Sequence, residues 1–596
     1  MRTILVAVAI LAVAVGIGCL PTAAPPPEAR DRSPIDLALL PGGRRALTAN
    51  QTSDTISLVD LDAGKVLAER PCGRRPAAVA CSADGRRAAA AASWGGKIVL
   101  FEIADDALKP AGEALVGGYP QAVAFAPDGG RVYVAVGNSD EIVEIDWTSR
   151  KIVHRRPAPH DPCRLALSAD GGLLAAAGGR SGRVALWDES TRKQVWERLK
   201  DDAFNLRGLT FTPDGAAVVV SCAVRRDFPV SRNNIMEGWV LDNRLLRLDV
   251  KTDVVPPVKQ IALDERGRAV GDLYGAAFDP NRWLAVAGSG TGELLLLDAG
   301  AVPWTGGDVG DVLDPRMTKD DRFRRVALGG RPTAVAFAPD GKRAFVANYL
   351  LDAVQIVDAA EGKLVKTISL GGPAQPSSAR RGEALFYDAT RSQDQWFSCS
   401  SCHVDGHTCG QNFDTLNDGN YGNPKLTPSL RGVSRTGPWT WHGWQDDLGA
   451  AVVKSYTTTM FGPRPTEDEV KDVVAFLETV DHPPNPRRGS DGKLSEAAQR
   501  GRSIFENKAR CTRCHDGPDY TSPRNYELKL EPDGSPYKEW NPPTLRGVVD
   551  RGPYLHDGRA RTLDDVLTGP HAPEKLGAPA LTPEERRDLI EFLNSL

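Results

Sequence analysis

Two five-residue stretches, Cys399-Ser400-Ser401-Cys402-His403 and Cys511-Thr512-Arg513-Cys514-His515, carry the strongest chemical signal in the chain. Each has the CxxCH spacing of covalent c-type haem attachment. Two thiols one helical turn apart can add to the two vinyl groups of a haem, and the adjacent imidazole then reaches the same iron from one side. Cys399, Cys402, Cys511 and Cys514 are therefore the expected attachment thiols of two haems, with His403 and His515 as proximal iron ligands. Zinc is poorly served, because each site lacks a second ligand pair.

The far side of each iron decides between electron carrier and enzyme. Met460 is the only methionine beyond either motif, 57 residues after His403, a separation usual for His/Met haems. It is the distal candidate for the first haem, where a thioether would raise the reduction potential; a gap-filling core methionine is the alternative. No methionine follows His515, and the distal candidates there are His571, 56 residues beyond it, His556 and Tyr554. Aligning Gly462-Pro463 with Gly569-Pro570 instead sets Leu567 opposite Met460. An aliphatic side chain cannot bind iron, so either His571 reaches over or the second haem keeps an open position. Arg431 and Arg546 are candidates for holding haem propionates, since a guanidinium forks onto carboxylates, with an ordinary surface or structural arginine as the alternative. Trp439, Trp441 and Trp444 cluster between the haem segments, where core packing is the default role of an indole and lining of an inter-haem path is the alternative.

The surroundings of the two motifs repeat. Arg381-Gly382-Glu383-Ala384-Leu385-Phe386 precedes the first and Arg500-Gly501-Arg502-Ser503-Ile504-Phe505 the second, each opening an amphipathic helix. Pro428-Ser429-Leu430-Arg431-Gly432 matches Pro543-Thr544-Leu545-Arg546-Gly547, and Gly437-Pro438-Trp439 matches Gly552-Pro553-Tyr554. Thr466 with Glu469, and Thr582 with Glu585, cap a closing helix in each half. Two cytochrome c domains are expected, 378–482 and 494–596.

Upstream, a Pro/Ala-Asp-Gly turn between short β runs recurs at Gly42, Asp84, Asp128, Asp170, Asp214, Asn281 and Asp340. The first four intervals are 42 to 44 residues and the last two are 67 and 59. Periods of this length with several strands each describe propeller blades, stacked radially because one blade cannot bury both of its faces. Ala122-Val123-Ala124-Phe125-Ala126-Pro127-Asp128-Gly129 and Ala334-Val335-Ala336-Phe337-Ala338-Pro339-Asp340-Gly341 resemble the YVTN class of propeller repeat. The expected fold is multidomain: an all-β seven-bladed propeller over 33–372, followed by two mainly α cytochrome c domains. Insertions at 225–243 and 301–323 read as solvated or domain-packing loops ahead of a ligand site.

At the start, Met1-Arg2 and an apolar run from Ile4 to Gly18 read as an export signal over 1–19, too short to span a membrane, followed by a Pro-rich tether over 20–32. Gly16-Ile17-Gly18-Cys19 resembles a bacterial lipobox, which makes Cys19 the candidate for lipidation, with ordinary cleavage as the alternative. The expected location is the bacterial periplasm or cell envelope, touching the membrane only through such an anchor. Outside the cytoplasm disulfides are permitted; a Cys72–Cys81 bridge and single buried thiols both stay open. With 73 Lys and Arg against 77 Asp and Glu, no excess positive charge favours nucleic acid.

The doubled CxxCH, the doubled Pro-Ser/Thr-Leu-Arg-Gly and Gly552-Pro553-Tyr554-Leu555-His556-Asp557-Gly558 together resemble the bacterial di-haem cytochrome c peroxidase family. That resemblance covers about 378–596. It implies two neighbouring haems, one for electron transfer and one able to open a position to peroxide, and a redox partner protein or small electron donor or acceptor. In that family the Met-ligated haem is usually the C-terminal one, and this chain departs from the pattern. The expected function is electron transfer with peroxide reduction at one haem, the propeller serving as docking platform. The competing expectation is a propeller binding module whose haems only relay redox state. Propeller-type nitrite reductases fit less well, since the ring offers no convergent histidines.

Overall fold

A computed structural model describes residues 30–251, 258–307, 310–488, 492–531 and 537–596. The export signal over 1–19, Cys19 and most of the tether lie outside the described residues.

The turn that repeats in sequence has a local cause. In the fourth blade Ser168 Oγ and Gly172 N both donate to Asp170 Oδ1, at 2.6 and 3.0 Å, and Gly171 takes the left-handed conformation that closes the reversal. Between such turns the chain forms seven antiparallel sheets of consecutive strands, spanning 34–71, 76–115, 120–157, 162–199, 203–262, 273–327 and 332–369. Each holds four strands, and the fifth blade adds the short strand Thr305–Gly306. The first strand of every blade packs on that of the next, and Pro332–Phe337 packs on Pro34–Leu39, which closes the ring. Thr333 Oγ1 donates to Pro34 O at 3.1 Å across that closure. Strands in the middle of a blade are covered on both faces by neighbours, so the usual alternation disappears. Ala88 to Ala92 are all fully buried in Arg87–Ala92. Cys72 and Cys81 are unpaired thiols, as is every described cysteine.

The C-terminal part is mainly helical. The insertion of the fifth blade carries α1 (Arg232–Met236), and the rest follow as α2 (Ser378–Phe386), α3 (Cys399–Cys402), α4 (Leu448–Lys454), α5 (Glu467–Thr479), α6 (Glu496–Ser503), α7 (Leu563–Thr568) and α8 (Pro583–Asn594). Capping boxes at Thr466 and Thr582 start α5 and α8 where the sequence placed them.

The two halves use one packing device twice. α2 crosses α5 at Gly382, where a Cβ would stand 1.8 Å from Asp472 O; α6 crosses α8 at Gly501, where it would stand 2.0 Å from Asp588 O. Beside each crossing an arginine forks onto the aspartate of the other helix: Arg381 on Asp472 at 2.7 and 2.8 Å, Arg500 on Asp588 at 2.7 Å through both nitrogens. Their cores differ. Phe505, Leu563, Leu567, Leu589 and Phe592 form a core of the second half alone. Phe386, Phe397, Met460 and Phe476 of the first half share theirs with Phe204, Val230, Ile235 and Leu241 of the propeller. The 225–243 insertion is thus a domain-packing element.

Candidate functional site

The first motif lies on α3, whose N-terminus is closed reciprocally: Ser400 N donates to Ser398 Oγ at 3.0 Å and Ser398 N to Ser401 Oγ at 2.9 Å. The second forms the shorter turn Cys511–Arg513, entered through Arg510 in the left-handed region. In both, the histidine amide closes the turn onto the first cysteine, His403 N to Cys399 O at 2.8 Å and His515 N to Cys511 O at 2.9 Å.

Each imidazole is oriented by a backbone carbonyl. His403 Nδ1 donates to Pro428 O at 2.9 Å and His515 Nδ1 to Tyr520 O at 3.2 Å. A carbonyl can only accept, so Nδ1 carries the proton and Nε2 keeps its lone pair, the tautomer a metal-binding imidazole needs. Burial pushes both imidazoles down to about 4, with His571 adding to the effect on His515, so both stay neutral near pH 7. Pro428 opens the repeated Pro-Ser/Thr-Leu-Arg-Gly stretch, which gives that repeat a purpose the sequence did not disclose.

Both motifs line one continuous cavity of about 1440 Å³. An ordinary ligand pocket holds about 300–1,000 Å³, so this one has room for more than one large planar group. Met460 lines it, buried, with Sδ 3.8 Å from Cys399 Sγ. It follows the π-helical turn Ser455–Thr459, and its backbone is held on both sides: Met460 N donates to Ser455 O and Gln393 N to Met460 O, each at 2.9 Å. His571 also lines it, with its ring centroid 6.3 Å from that of His515. Two imidazole nitrogens each about 2.0–2.1 Å from a shared metal ion put their ring centroids about 6 Å apart, so this spacing fits one iron between them. Leu567 lies on the same wall.

Arg431 and Arg546 do not line the cavity. Arg431 approaches Asp550 at 3.7 Å, and Arg546 donates to Pro518 O at 2.8 Å beside Asp519. Three guanidiniums stand on the cavity wall, the exposed Arg510 and Arg513 and the half-buried Arg551, and sequence spacing pointed to none of them; Arg551 is the one drawn inward. Its terminal nitrogens donate to Thr544 O and Arg546 O at 2.6 and 2.5 Å, while Nε is buried with no partner among the described residues. Burial, then Arg431, pulls it down to about 10. A buried cation on a cavity wall calls for an anion, and haem carries two carboxylates. Thiols, oriented imidazoles, cavity size and Arg551 all fit haem.

The propeller completes the surroundings of the first motif. Asp272 accepts from Ser398 Oγ and, at 2.5 Å, from Ser401 Oγ; Asn205 Nδ2 donates to Ser401 O at 2.9 Å. Arg207 and Arg331 meet Asp405 at 2.8 and 2.9 Å, and Arg331 also stands over the Tyr387 ring. Near the second half, Asn138 and Arg180 bond Asp550 at 2.9 and 2.7 Å.

These features define a β-propeller joined to a covalent-haem cytochrome c region. Residues 498–596 match the cytochrome c family. The chain is 26% identical over 283 residues to the hydrazine synthase subunit gamma of Kuenenia stuttgartiensis, covering 38% of this chain and 79% of that protein. It is 30% identical over 158 residues to the cytochrome-c peroxidase IdrP1 of Denitromonas iodatirespirans, covering 18% of this chain and 42% of that one. Among solved structures, Kuenenia stuttgartiensis hydrazine synthase superimposes with a TM-score of 0.50 at 24% identity, over 57% of this chain and 98% of its own, a likeness of fold. The cytochrome region therefore resembles the di-haem cytochrome c peroxidases, and haem electron transfer is its chemistry.

Proposed function

We propose that this protein is a di-haem oxidoreductase with cytochrome c domains at 378–482 and 494–596, and that it reduces peroxide at its second haem. Cys399, Cys402 and His403 would hold one haem and Cys511, Cys514 and His515 the other, with Met460 and His571 facing the far side of each iron. Haem supplies one-electron chemistry when bound; the chain supplies attachment, orientation and access. The observation that carries this reading is the single cavity in which Met460 lies 3.8 Å from Cys399 and His571 is one metal's width from His515.

Peroxide needs a vacated distal position, and the two candidates differ in how firmly they are held. Met460 is tied through its backbone on both sides, whereas His571 stands in the short link between α7 and the turn Pro573–Leu576. His571 is the ligand that can leave, and the relative named as a peroxidase supports that direction. The propeller serves as docking platform for the cytochrome region, which is supported by the bonds from Asp272, Asn205, Arg207 and Arg331. Export, a lipid anchor at Cys19 and an external redox partner belong to the same proposal. Among the described residues no helix is long and apolar enough to cross a membrane.

The test is haem quantification with optical and spin-resonance spectra of the parent, Met460→Ala and His571→Ala, with and without peroxide. Two haems per chain are expected, each variant changing a different one, with peroxide consumed by the half-reduced protein. One haem per chain, or two variants with parental spectra, refutes the assignment; a protein inert to peroxide in every redox state removes the peroxidase part.

A further inference from the structure

Five aromatic rings run in contact along the cavity wall, from exposed Trp444 through buried His442, Trp540 and His556 to half-buried Trp441. Trp444, 44% exposed, stacks on His442 with centroids 4.6 Å apart and planes at 24°. His442 lies 4.5 Å from Trp540, Trp540 lies 4.2 Å from His556, and His556 meets the edge of Trp441 at 6.4 Å. All five line the cavity that holds both CxxCH motifs. These separations are close to the 4.5–7 Å expected of aromatic pairs, but packing alone explains the residue types poorly. His442 and His556 are 6% and 2% exposed, and each buries one ring nitrogen, His442 Nε2 and His556 Nδ1, with no partner among the described residues. The other nitrogen of each is held, His442 Nδ1 donating to Glu539 O and His556 Nε2 meeting Glu531 Oε1, both at 2.9 Å, so the two rings are fixed in place while each keeps a costly orphaned acceptor.

We propose that Trp444, His442, Trp540, His556 and Trp441 form an electron-entry relay, through which a donor too large to enter the cavity reduces the haem. The inference rests on the haem reading above and not on its peroxidase part. Electron tunnelling falls off steeply across empty gaps and slowly across conjugated rings in contact, so a stack reaching the surface moves the effective edge of the haem site out to Trp444. Lys425 Nζ stands 5.9 Å from the Trp540 ring and pairs with Glu531 at 3.4 Å, which offsets its charge. The rings act as bridging orbitals rather than as stopping places. Each event takes one electron from the donor, which is oxidised, and delivers it to a ferric haem, which becomes ferrous. No bond forms or breaks. The indole protons stay in place, since Trp540 Nε1 donates to Leu528 O at 3.2 Å and Trp441 Nε1 to Leu426 O at 2.8 Å.

The test compares two reductants on the haem-loaded full chain by stopped flow: a ferrocytochrome c, too bulky for the cavity, and dithionite, which diffuses into it. Trp444→Ala and Trp540→Leu are expected to slow reduction by ferrocytochrome c tenfold or more and to leave dithionite reduction and the haem spectra unchanged, while Trp444→Phe retains most of the rate. Parental ferrocytochrome c rates in both Trp444→Ala and Trp540→Leu would overturn the relay, as would a parent that dithionite reduces and ferrocytochrome c does not. Loss of the haem bands from the parent itself would instead refute the cofactor reading, and loss in Trp540→Leu alone leaves the surface variant Trp444→Ala to decide.

Discussion

Substituting Gly382 by alanine probes the helix crossing beside the first CxxCH motif. The new Cβ would lie 1.8 Å from Asp472 O, 2.3 Å from its carbonyl carbon and 2.8 Å from Val473 N. All three are backbone atoms of α5, so no side chain can swing aside. Restoring an ordinary contact of 3.4 Å requires α2 and α5 to separate by roughly 1.5 Å in a core packed as densely as a crystal. That movement stretches the Arg381–Asp472 fork, now 2.7 Å, and opens the Phe386–Phe476 contact, now 5.1 Å between centroids. Overpacking costs about 1–3 kcal/mol, and a rigid backbone obstacle belongs at or above the top of that range. Alanine returns about 1 kcal/mol of helix propensity, leaving a net loss of about 2 kcal/mol. Gly501→Ala, facing Asp588 O at 2.0 Å, is expected to lose as much. The assay is urea unfolding followed through haem absorbance, comparing midpoints at unchanged slope. Either variant within 0.5 kcal/mol of the parent would refute the reasoning.

Two further outcomes follow from the same contacts. The Arg381 guanidinium, then the Ser378 hydroxyl, hold the Asp472 carboxyl below its usual range. Its contribution to stability is present above the ordinary aspartate value of about 3.9 and is lost as pH falls through the lower folded value. Acid titration of Asp472→Asn should therefore show a flatter loss below about pH 4, and parental acid sensitivity would count against the linkage. Arg331, 3% exposed, joins Asp405 to the Tyr387 ring. Arg331→Ala should weaken docking of the cytochrome region on the propeller by about 2–3 kcal/mol, and a double-mutant cycle with Asp405→Ala should show coupling of about 1 kcal/mol, moderated because Asp405 is partly solvated. Zero coupling would mean that the pair only touches.

What could be read along the chain was what neighbours in sequence decide. CxxCH works within five residues, the Asp-Gly turn within four, and a capping box within four, so haem chemistry, seven blades and the starts of α5 and α8 were legible. The glycine-arginine pairs of α2 and α6 were visible as a repeat, but the reason for them, a backbone crossing with an aspartate on the far helix, was not. The expectation for Arg431 and Arg546 illustrates the limit. Both lie in the repeated stretch at matching positions, yet Asp550 and Asp519 come within their reach and Arg551 takes the cavity wall. Sequence spacing gives a side chain's neighbourhood along the chain but not the nearest opposite charge across a fold.

The amino-acid sequence by itself determined the classes of element and the covalent chemistry, because turn formation, helix capping and thiol spacing depend on contacts only a few residues apart. Tertiary structure alone decided that the two motifs open into one cavity, that His571 stands across from His515, and that Asp272 and Arg331 of the ring grip the loop of the first CxxCH motif. It also decided that Trp540 and His556 come between His442 and Trp441. Most of those relations join residues tens to hundreds of positions apart, and they exist only once burial of apolar surface has packed the folded elements together.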